Sequence, residues 1–553
     1  MERCLLRHGV SVIFGYPGGA IMPFYDVLYD SPIRHILTIH EQGAVHAADG
    51  YARASGQVGV CIATSGPGAT NLVTGLATAF LDSSPVIAIT GQVATALLGS
   101  DAFQEVDIIS ITMPVTKHNF LVRNINSLPS IIDQAFMLAA SGRPGPVLID
   151  VPRDVLTSTA EYYAVRQKAA WNTVPAYADK AAIKAAAAAL AKARQPVMLI
   201  GGGVKTGNAC AEVLDFVRST RIPVVSTLMG LDAFPAGQPY FLGLTGMHGH
   251  KTANLAVHHA DVVLAVGSRF SDRITGDINQ YSQGKTIIHC DVDPAECGKN
   301  ISTDVTVVGG LKYSLLQLTK MLQPNPWSDI HNWWQKIEMW RQNFLPVYDD
   351  KTLNPPWIMN YLSAAAADFP VTWVTDVGQH QMWAAQYLKI SSPRSWITAG
   401  GLGTMGFGLP AALGAQAATP DKRVILIAGD GGFKMTGMEL HTAVDEGLPV
   451  ICIIFNNKSL GMVHQWQHLF FNRRYMSTEL SDFDFTGFAT VNGAAAFSAK
   501  TPRQFKKSFQ AALAANKPAV IVADIEPDLL VSPMVSPGQP INRFVNDSCP
   551  NSG

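Results

Sequence analysis

Residues 424–457, VILIAGDGGFKMTGMELHTAVDEGLPVICIIFNN, decide the fold of the C-terminal part of the chain. The apolar runs Val424–Ala428 and Val450–Phe455 predict two strands, and Thr436–Glu446 predicts a helix between them. A strand, a helix and a strand in this order form a βαβ unit, in which both parallel strands end at the same edge of the sheet. Asp430 and Asn457 follow the two strands, 457 − 430 = 27 residues apart, so we expect them side by side.

Asp430 and Asn457 have the chemistry of a magnesium site. Carboxylate and amide oxygens are ligands that suit a hard cation. The flanking Gly429 and Gly431 let the backbone approach a phosphate closely. The alternative is an ordinary turn followed by an Asx turn, but the paired spacing favours a cation that a diphosphate also binds.

The same alternation of strands and helices extends along the rest of the chain. Further strands are predicted at Val12–Phe14, His35–His40, Val58–Thr64, Val86–Thr90, Val147–Val151, Val197–Ile200, Pro223–Ser226, Val262–Val266, Thr286–Asp291 and Thr372–Thr375. Further helices are predicted at Ala20–Tyr29, Gln42–Ala54, Ala69–Leu81, Leu128–Ala140, Ala181–Ala193, Gln379–Tyr387 and Gly408–Ala418. This pattern predicts an α/β protein of three doubly wound parallel-sheet domains, 1–165, 180–321 and 355–535. Residues 322–356 are expected to be a linker with one amphipathic helix, whose aromatic side chains pack between domains.

Composition excludes several classes of protein. The 553 residues carry 41 Lys and Arg against 42 Asp and Glu, a net charge of −1, which argues against binding nucleic acid or anionic membrane through a basic face. With 48% hydrophobic residues, disorder is excluded for most of the chain. Seven cysteines without C-x-x-C spacing, and no apolar run long enough to span a bilayer, favour the cytoplasm.

The spacing from G-D-G to N-N resembles the thiamine diphosphate-binding motif, and other stretches agree with it. They are His40–Ala44 (HEQGA), Ser65–Asn71 (SGPGATN), Gly15–Ala20 (GYPGGA), Asp101–Glu105 (DAFQE), Asp376–Ala384 (DVGQHQMWA), Gly401–Pro410 (GLGTMGFGLP) and Gly461–Gln467 (GMVHQWQ). From about residue 8 to 538 the chain resembles the large, catalytic subunits of acetohydroxyacid synthase, also called acetolactate synthase. The three domains would then be a pyrimidine-binding, a central FAD-type and a diphosphate- and magnesium-binding domain.

The resemblance implies a reaction. Pyruvate would lose CO₂ on thiamine diphosphate, and the hydroxyethyl carbanion would attack pyruvate or 2-ketobutyrate. The products, 2-acetolactate and 2-aceto-2-hydroxybutyrate, are precursors of valine, leucine and isoleucine. The partners implied are these small 2-ketoacids, a second copy of the chain in a homodimer or homotetramer, and a small regulatory subunit.

The resemblance also assigns residues. Glu41 would favour the imino tautomer of the cofactor pyrimidine, and Met405 would hold the two cofactor rings bent together. The catalytic positions are Glu41, Gln104 and Gly19; the metal ligands are Asp430, Asn457 and Ser459; the substrate contacts are Phe103, Met462, Val463 and Trp466; and the cofactor contacts are Met405, Gly429, Gly431, Gly201, Gly202, Arg273, Asp291 and His248. From the residues alone, Glu41 could be an exposed helix residue, and Met405 could belong to a core. On a helix Val463, Trp466 and Phe470 share one face, so Trp466 could also be part of a core stripe.

The central-domain contacts concern FAD, which would be structural because the reaction is redox neutral. Ser271 and Gly310 stand where the family usually has Asp, which predicts weaker FAD binding. Ala94 replaces a common proline and could alter inhibitor sensitivity. Lys434 is expected to be a solvated helix charge rather than a phosphate contact.

Three other functions remain possible on the sequence. A flavin-free catabolic acetolactate synthase usually lacks the RF-x-DR-x-TG pattern and the tryptophan at 466, and this chain has both. A simple 2-ketoacid decarboxylase is disfavoured by Gln104 and Trp466. A non-catalytic regulatory homologue is disfavoured by the intact Glu41, Asp430 and Asn457.

Overall fold

The computed structural model describes residues 1–161, 177–323, 327, 330–344, 349 and 351–545. These residues form three six-stranded sheets, and every pair of neighbouring strands in them is parallel. The predicted α/β class with three doubly wound domains is confirmed. The predicted boundary at residue 165 lies outside the described residues.

The first domain has the strand order β2-β1-β3-β4-β6-β5. Its strands are β1 (Val12–Gly15), β2 (Arg34–Leu37), β3 (Gly59–Ala63), β4 (Val86–Gln92), β5 (His118–Leu121) and β6 (Val147–Pro152). Its helices are Glu2–Arg7, Met22–Leu28, Glu41–Ser55, Pro67–Thr70, Val73–Leu81, Ile108–Thr112, Leu128–Ala140 and Arg153–Thr157. The single helix predicted at Ala69–Leu81 is wrong, because a turn at Asn71 divides it into two.

The central domain has the strand order β12-β11-β10-β7-β8-β9. Its strands are β7 (Pro196–Ile200), β8 (Val224–Ser226), β9 (Phe241–Leu244), β10 (Val262–Val266), β11 (Thr286–Asp291) and β12 (Val305–Val308). Its helices are Lys180–Ala191, Gly203–Thr206, Cys210–Thr220, Lys251–His259, Asp272–Thr275, Ile278–Ser282, Leu311–Met321 and Ile330–Asn343. This order is that of dinucleotide-binding sheets, in which ligands bind where the order reverses, here between β7 and β10.

The expected linker contributes to the core of the central domain. Trp327, Trp333 and Trp340 are buried there. The indole N–H of Trp327 donates to the Leu190 carbonyl at 2.8 Å, and that of Trp333 to the Pro196 carbonyl at 3.1 Å. The prediction that these aromatic side chains pack between domains is therefore wrong, since they cover the central sheet's own helices and strands.

The third domain repeats the topology of the first, with the order β14-β13-β15-β16-β18-β17. Its strands are β13 (Val371–Thr375), β14 (Trp396–Ile397), β15 (Arg423–Gly429), β16 (Ile451–Asn456), β17 (Ala495–Ala499) and β18 (Ala519–Asp524). Its helices are Pro355–Ala365, Gln379–Tyr387, Gly408–Ala418, Asp430–Thr436, Glu439–Asp445, Gly461–Phe470, Phe485–Val491 and Pro502–Ala515. The helix predicted at Thr436–Glu446 is wrong at its start. One helix begins directly at Asp430 and ends at Thr436, and a second begins at Glu439.

Two helices from different domains pack in very close contact. Glu41–Ser55 of the first domain crosses Gly408–Ala418 of the third. At the crossing, a Cβ on Gly50 would overlap the Ala411 carbonyl, and a Cβ on Gly414 would overlap the Ala47 carbonyl. Glycine is thus required at both positions, and the close packing joins the first and third domains.

Among the described residues, no helix has both the length and the apolar character needed to cross a bilayer. Five cysteines in the described part of the chain are free thiols: Cys61, Cys210, Cys290, Cys297 and Cys452.

We expect Gly414→Ala to destabilise the protein, because the added methyl group must separate the two helices. Overpacking of this kind costs about 1–3 kcal/mol, which calorimetry would detect as a lower thermal unfolding midpoint. The matched control is Gly237→Ala, at an exposed glycine with open space around its Cβ position. A Gly414→Ala variant as stable as this control would show that the crossing tolerates a side chain.

Candidate active site

Asp430 and Asn457 lie at the ends of neighbouring strands. Strand β15 pairs with β16, with Gly429 opposite Phe455, so the residues that follow both strands meet at one sheet edge. Asp430 starts a helix, and Asn457 follows the last residue of β16. The sequence predicts this juxtaposition correctly, because two buried parallel strands joined by a helical segment leave little choice of geometry.

Two oxygens at this edge are buried and have no hydrogen-bond partner in the protein. Asp430 Oδ1 accepts a hydrogen bond from the Gly431 N–H at 2.8 Å, but Asp430 Oδ2 and Ser459 Oγ have none. The Asn457 amide nitrogen faces Gln379 Oε1 at 3.4 Å, while its oxygen accepts from the Ser459 N–H at 3.2 Å. Burying polar atoms without partners is costly, so this edge is suited to a bound ligand.

The electrostatics of the edge also suit a cation. Burial raises the pKa of the Asp430 carboxyl to about 6, and hydrogen bonds from backbone N–H groups oppose that rise. Within the described residues, no cluster of three or more His, Cys, Asp and Glu side chains could hold a metal unaided. A cation at Asp430 would therefore take further ligands from an amide oxygen, a backbone carbonyl and a bound anion.

Asp376 and His380 also lie at this edge, although the sequence predicts no role for them. Both belong to the segment after β13, and the second lies in the helix Gln379–Tyr387. His380 Nδ1 lies 2.9 Å from the position of a Cβ on Gly429, and its Nε2 is buried without a partner. Burial lowers the pKa of His380 to about 3, so its ring is neutral at pH 7. In the sequence, the only feature that could have indicated a functional role is that these residues follow the buried strand β13.

Asp376 fixes the loop that carries Met405. Its buried carboxylate accepts hydrogen bonds from the Gly406 N–H at 3.0 Å and the Gly408 N–H at 3.2 Å. Met405 Cε lies 3.7 Å from the position of a Cβ on Gly431. The structure thus places Met405 next to the G-D-G turn, and the methionine is half-buried rather than in a core.

The side chain of Lys434 contacts other residues instead of extending freely into solvent. Its ammonium group donates to the Ser481 carbonyl at 3.1 Å and lies over the rings of Phe483 and Phe485, 5.4 and 5.7 Å from their centroids. The expectation of free solvation is wrong for this side chain.

Glu41 starts a helix and is 8% exposed, so it is not the exposed residue that the alternative describes. Its Oε2 accepts a hydrogen bond from Asn71 Nδ2 at 2.9 Å. Asn71 belongs to the loop after β3, and Gln104, with φ of 59°, packs against Gly66 of the same loop. The structure thus brings Glu41 and Gln104 to the loop 64–71.

Gly19 and Phe103 present open surfaces beside these residues. A Cβ on Gly19 would meet no atom within 4 Å, whereas one on Gly18 would meet Thr64. Phe103 is 88% exposed. Phe103 precedes Gln104 in the chain, so its exposed ring lies beside the segment that Gln104 contacts.

A cavity of about 1020 Å³ joins the central and third domains and also reaches the first. Nine predicted site residues line it: Gly201, Gly202, His248, Arg273, Asp291, Met405, Met462, Val463 and Trp466. The predicted first-domain residues do not line it; these are Gly19, Glu41, Phe103 and Gln104. The strand-end residues Gly429, Asp430, Gly431, Asn457 and Ser459 do not line it either. Within one chain, therefore, the cavity brings the predicted central-domain residues together with Met405, Met462, Val463 and Trp466 of the third domain.

The central-domain part of the cavity lies where the strand order reverses. Gly201 follows β7 and Gly267 follows β10, and a Cβ on Gly201 would overlap the Gly267 carbonyl. His248 Nδ1 and Ser268 Oγ line the cavity and are buried without partners. Burial raises the pKa of the Asp291 carboxyl, at the end of β11, to about 6.

Trp466 faces the cavity rather than a core. It lies on the helix Gly461–Phe470, whose buried residues are His464 and Gln465. Val463 is 48% exposed, so the proposed core stripe is not what the structure has. The Arg273 guanidinium lies 5.9 Å from the centre of the Trp466 ring and connects the central to the third domain.

Three family models match the chain in the order of its domains. The thiamine pyrophosphate enzyme N-terminal TPP binding domain matches residues 1–111, the central domain residues 183–318, and the C-terminal TPP binding domain residues 376–523. The last match includes Asp430 and Asn457.

Curated relatives agree over nearly the whole length. A probable acetolactate synthase large subunit of Methanocaldococcus jannaschii is 45% identical, over 98% of this chain and 94% of the relative. The large subunit of acetolactate synthase isozyme 2 of Escherichia coli is 44% identical over 97% of this chain and 96% of its own, and an acetolactate synthase of Mycobacterium bovis is 45% identical over 97% and 89%. The chain therefore belongs to the family of acetolactate synthase large subunits, within the thiamine pyrophosphate enzymes.

Proposed function

We propose that this protein is the catalytic subunit that decarboxylates pyruvate and joins the remaining two carbons to a second 2-ketoacid. The products would be 2-acetolactate from pyruvate and 2-aceto-2-hydroxybutyrate from 2-ketobutyrate. The observation that carries the proposal is the buried pair Asp430 and Asn457 at adjacent strand ends, with Asp430 Oδ2 unpartnered. Identity of about 45% to acetolactate synthases over nearly the full length supports the same reaction.

The residues at the strand ends fit a magnesium ion and a diphosphate. Asp430 Oδ2, the Asn457 amide oxygen and the backbone at Ser459 would hold Mg²⁺, since hard oxygen donors suit that ion. The backbone at Gly429 and Gly431 would approach the diphosphate. When bound, thiamine diphosphate supplies an electron sink for the electron pair that the departing CO₂ leaves behind.

Glu41 would hold and move a proton at its carboxylate. Asn71 fixes one carboxylate oxygen at 2.9 Å, which orients the group, and burial shields it from water. A positioned carboxylate of this kind gives general acid–base catalysis. Met405 would set the position of the cofactor rings, because Asp376 binds the N–H groups of Gly406 and Gly408 directly after it.

A complete site would need a second copy of the chain. Glu41, Gly19, Phe103 and Gln104 do not line the cavity that Met405 and Trp466 line, which supports a site to which a second chain supplies the first-domain residues. The exposed Phe103, together with Met435 and Met438 at 59% and 53% exposure, supplies apolar surface for such an interface. We therefore propose a homodimer or a homotetramer.

The central domain fits FAD. The close contact of Gly201 with Gly267 leaves a cradle at the switch point, and His248 Nδ1 and Ser268 Oγ offer unsatisfied polar atoms along it. Gly202, Arg273 and Asp291 would complete the contacts. Because the proposed reaction is redox neutral, the flavin would fill and order this domain rather than transfer electrons.

We expect Glu41→Gln to lower the turnover of pyruvate by about 10²–10⁴-fold, the usual contribution of a positioned acid or base. The amide can still form a hydrogen bond but cannot exchange the proton. The measurement is CO₂ and acetolactate formed with added thiamine diphosphate and Mg²⁺. Glu338→Gln, at a half-exposed helix carboxylate, is the matched control.

Two outcomes of the Glu41→Gln measurement would contradict the proposal, and they can be told apart. An unaltered protein that forms neither product would refute the proposed function. Full activity in Glu41→Gln would refute only the role of this residue.

We expect Trp466→Leu to reduce the preference for 2-ketobutyrate over pyruvate as acceptor. Apolar contact with one extra methylene accounts for about 10- to 200-fold discrimination, so the product ratio should fall roughly tenfold or more while acetolactate formation persists. Competition between both acceptors, with both products quantified, gives the ratio. Trp334→Leu, on a helix of the central domain away from the cavity, is the control. An unchanged ratio would remove Trp466 from the acceptor site.

A further inference from the structure

The carboxylate of Glu439, in the third domain, is bonded to the backbone of the first domain directly before Glu41. Its Oε1 accepts hydrogen bonds from the Ile39 N–H at 3.1 Å and the His40 N–H at 3.2 Å. Its Oε2 accepts from Thr442 Oγ1 at 2.9 Å. The side chain is 2% exposed, so these bonds form in a dry interface where they are strong.

This contact is one of three between the segments 439–446 and 34–40. The Arg34 guanidinium donates to the Glu446 carboxylate at 2.8 Å, and Thr442 Oγ1, whose one proton Glu439 Oε2 and the Leu37 carbonyl share, lies 3.2 Å from that carbonyl oxygen. Residues 439, 442 and 446 share one face of their segment, which runs beside β2, an edge strand of the first sheet. The segment from Arg34 to Glu41 is thus held from outside its own domain.

The Glu439 carboxylate packs so closely against Gly43 that this position has no room for a side chain. A Cβ on Gly43, in the first turn of the helix that Glu41 starts, would overlap Glu439 Oε1. The carboxylate therefore occupies the place of a missing side chain at the helix N-terminus, where the helix dipole favours negative charge. Burial raises the pKa of Glu439 to about 7, and the hydrogen bonds from Ile39, Thr442 and His40 oppose that rise.

We propose that Glu439 is a positioning residue for Glu41: by binding two successive backbone N–H groups, it fixes the turn from β2 into the catalytic helix. The proposal rests on the proposed role of Glu41. Asn71 binds the tip of the Glu41 side chain, and Glu439 binds the backbone of the two residues that precede Glu41, so the carboxylate is held from both ends. Displacing a catalytic group by about 1 Å can cost roughly 10²-fold in rate.

The test measures proton exchange at C2 of bound thiamine diphosphate, by transfer of the full-length holoenzyme into D₂O, acid quench and NMR. This rate depends on the placement of Glu41 and needs no substrate. Glu439→Asp keeps the charge but shortens the side chain by one methylene, and Glu439→Gln keeps the length and one acceptor oxygen. We expect about a hundredfold slower exchange in Glu439→Asp, and recovery to within about tenfold of the unaltered protein in Glu439→Gln. Glu446→Gln, at the contact farthest from Glu41, should exchange at the unaltered rate.

Amide hydrogen exchange of the cofactor-free protein gives a second readout. In Glu439→Asp the amides of residues 39 and 40 should lose protection while the core strands β3 and β15 keep theirs. C2 exchange in Glu439→Asp equal to that of the unaltered protein would overturn the inference, as would equal slowing in Glu446→Gln. Glu41→Gln measured in parallel separates the failures: unchanged C2 exchange in that variant would overturn the proposed role of Glu41 itself.

Discussion

The close crossing of two helices governs the arrangement of everything else in this molecule. The backbones of Glu41–Ser55 and Gly408–Ala418 approach at Gly50 and Gly414 so closely that neither position accepts a Cβ. The first of these helices starts at the candidate catalytic glutamate. The second starts two residues after Gly406, whose N–H is bound by Asp376. Packing at this crossing therefore fixes the position of Glu41 relative to the Met405 loop. Within one chain, however, Met405 lines the cavity and Glu41 does not.

Buried acidic side chains link this packing to the residues of the candidate active site. Asp376 holds the loop after β14, and Glu439 holds the turn before Glu41. Asp82, buried beside Arg53, accepts hydrogen bonds from the Gly400 and Gly401 N–H groups at 3.1 and 2.7 Å. Each carboxylate binds backbone N–H groups of a distant segment, and charge-assisted bonds of this kind are strong when water is excluded. The central domain joins the same structure through the contact of Arg273 with Trp466.

The sequence predicts those parts of the site that follow from the local alternation of buried strands and helices. Asp430 and Asn457 follow long, fully buried strands, and parallel pairing of such strands brings their ends together. Asp376 and His380 also follow a buried strand, but that position alone does not show that Asp376 binds Gly406 and Gly408, 30 and 32 residues away. The role of Glu439 could not be predicted, because its partner Ile39 is 400 residues distant and no periodicity records such a contact. The prediction that Trp333 and Trp340 pack between domains is wrong for a related reason. Their helical pattern is evident, but nothing local shows which domain the helix covers.

The central claim is that each active site takes Glu41 from one chain and Asp430 from another. Its most direct test is subunit complementation between Glu41→Gln and Asp430→Ala, each of which disables one half of a site. The two variants, carrying different affinity tags, are co-expressed, and acetolactate formation is compared with that of each variant alone. Random pairing makes half of the dimers hybrid, and one of the two sites in each hybrid is intact, so about a quarter of the unaltered activity should return. A mixture no more active than the separate variants would place the whole site within one chain and contradict the account.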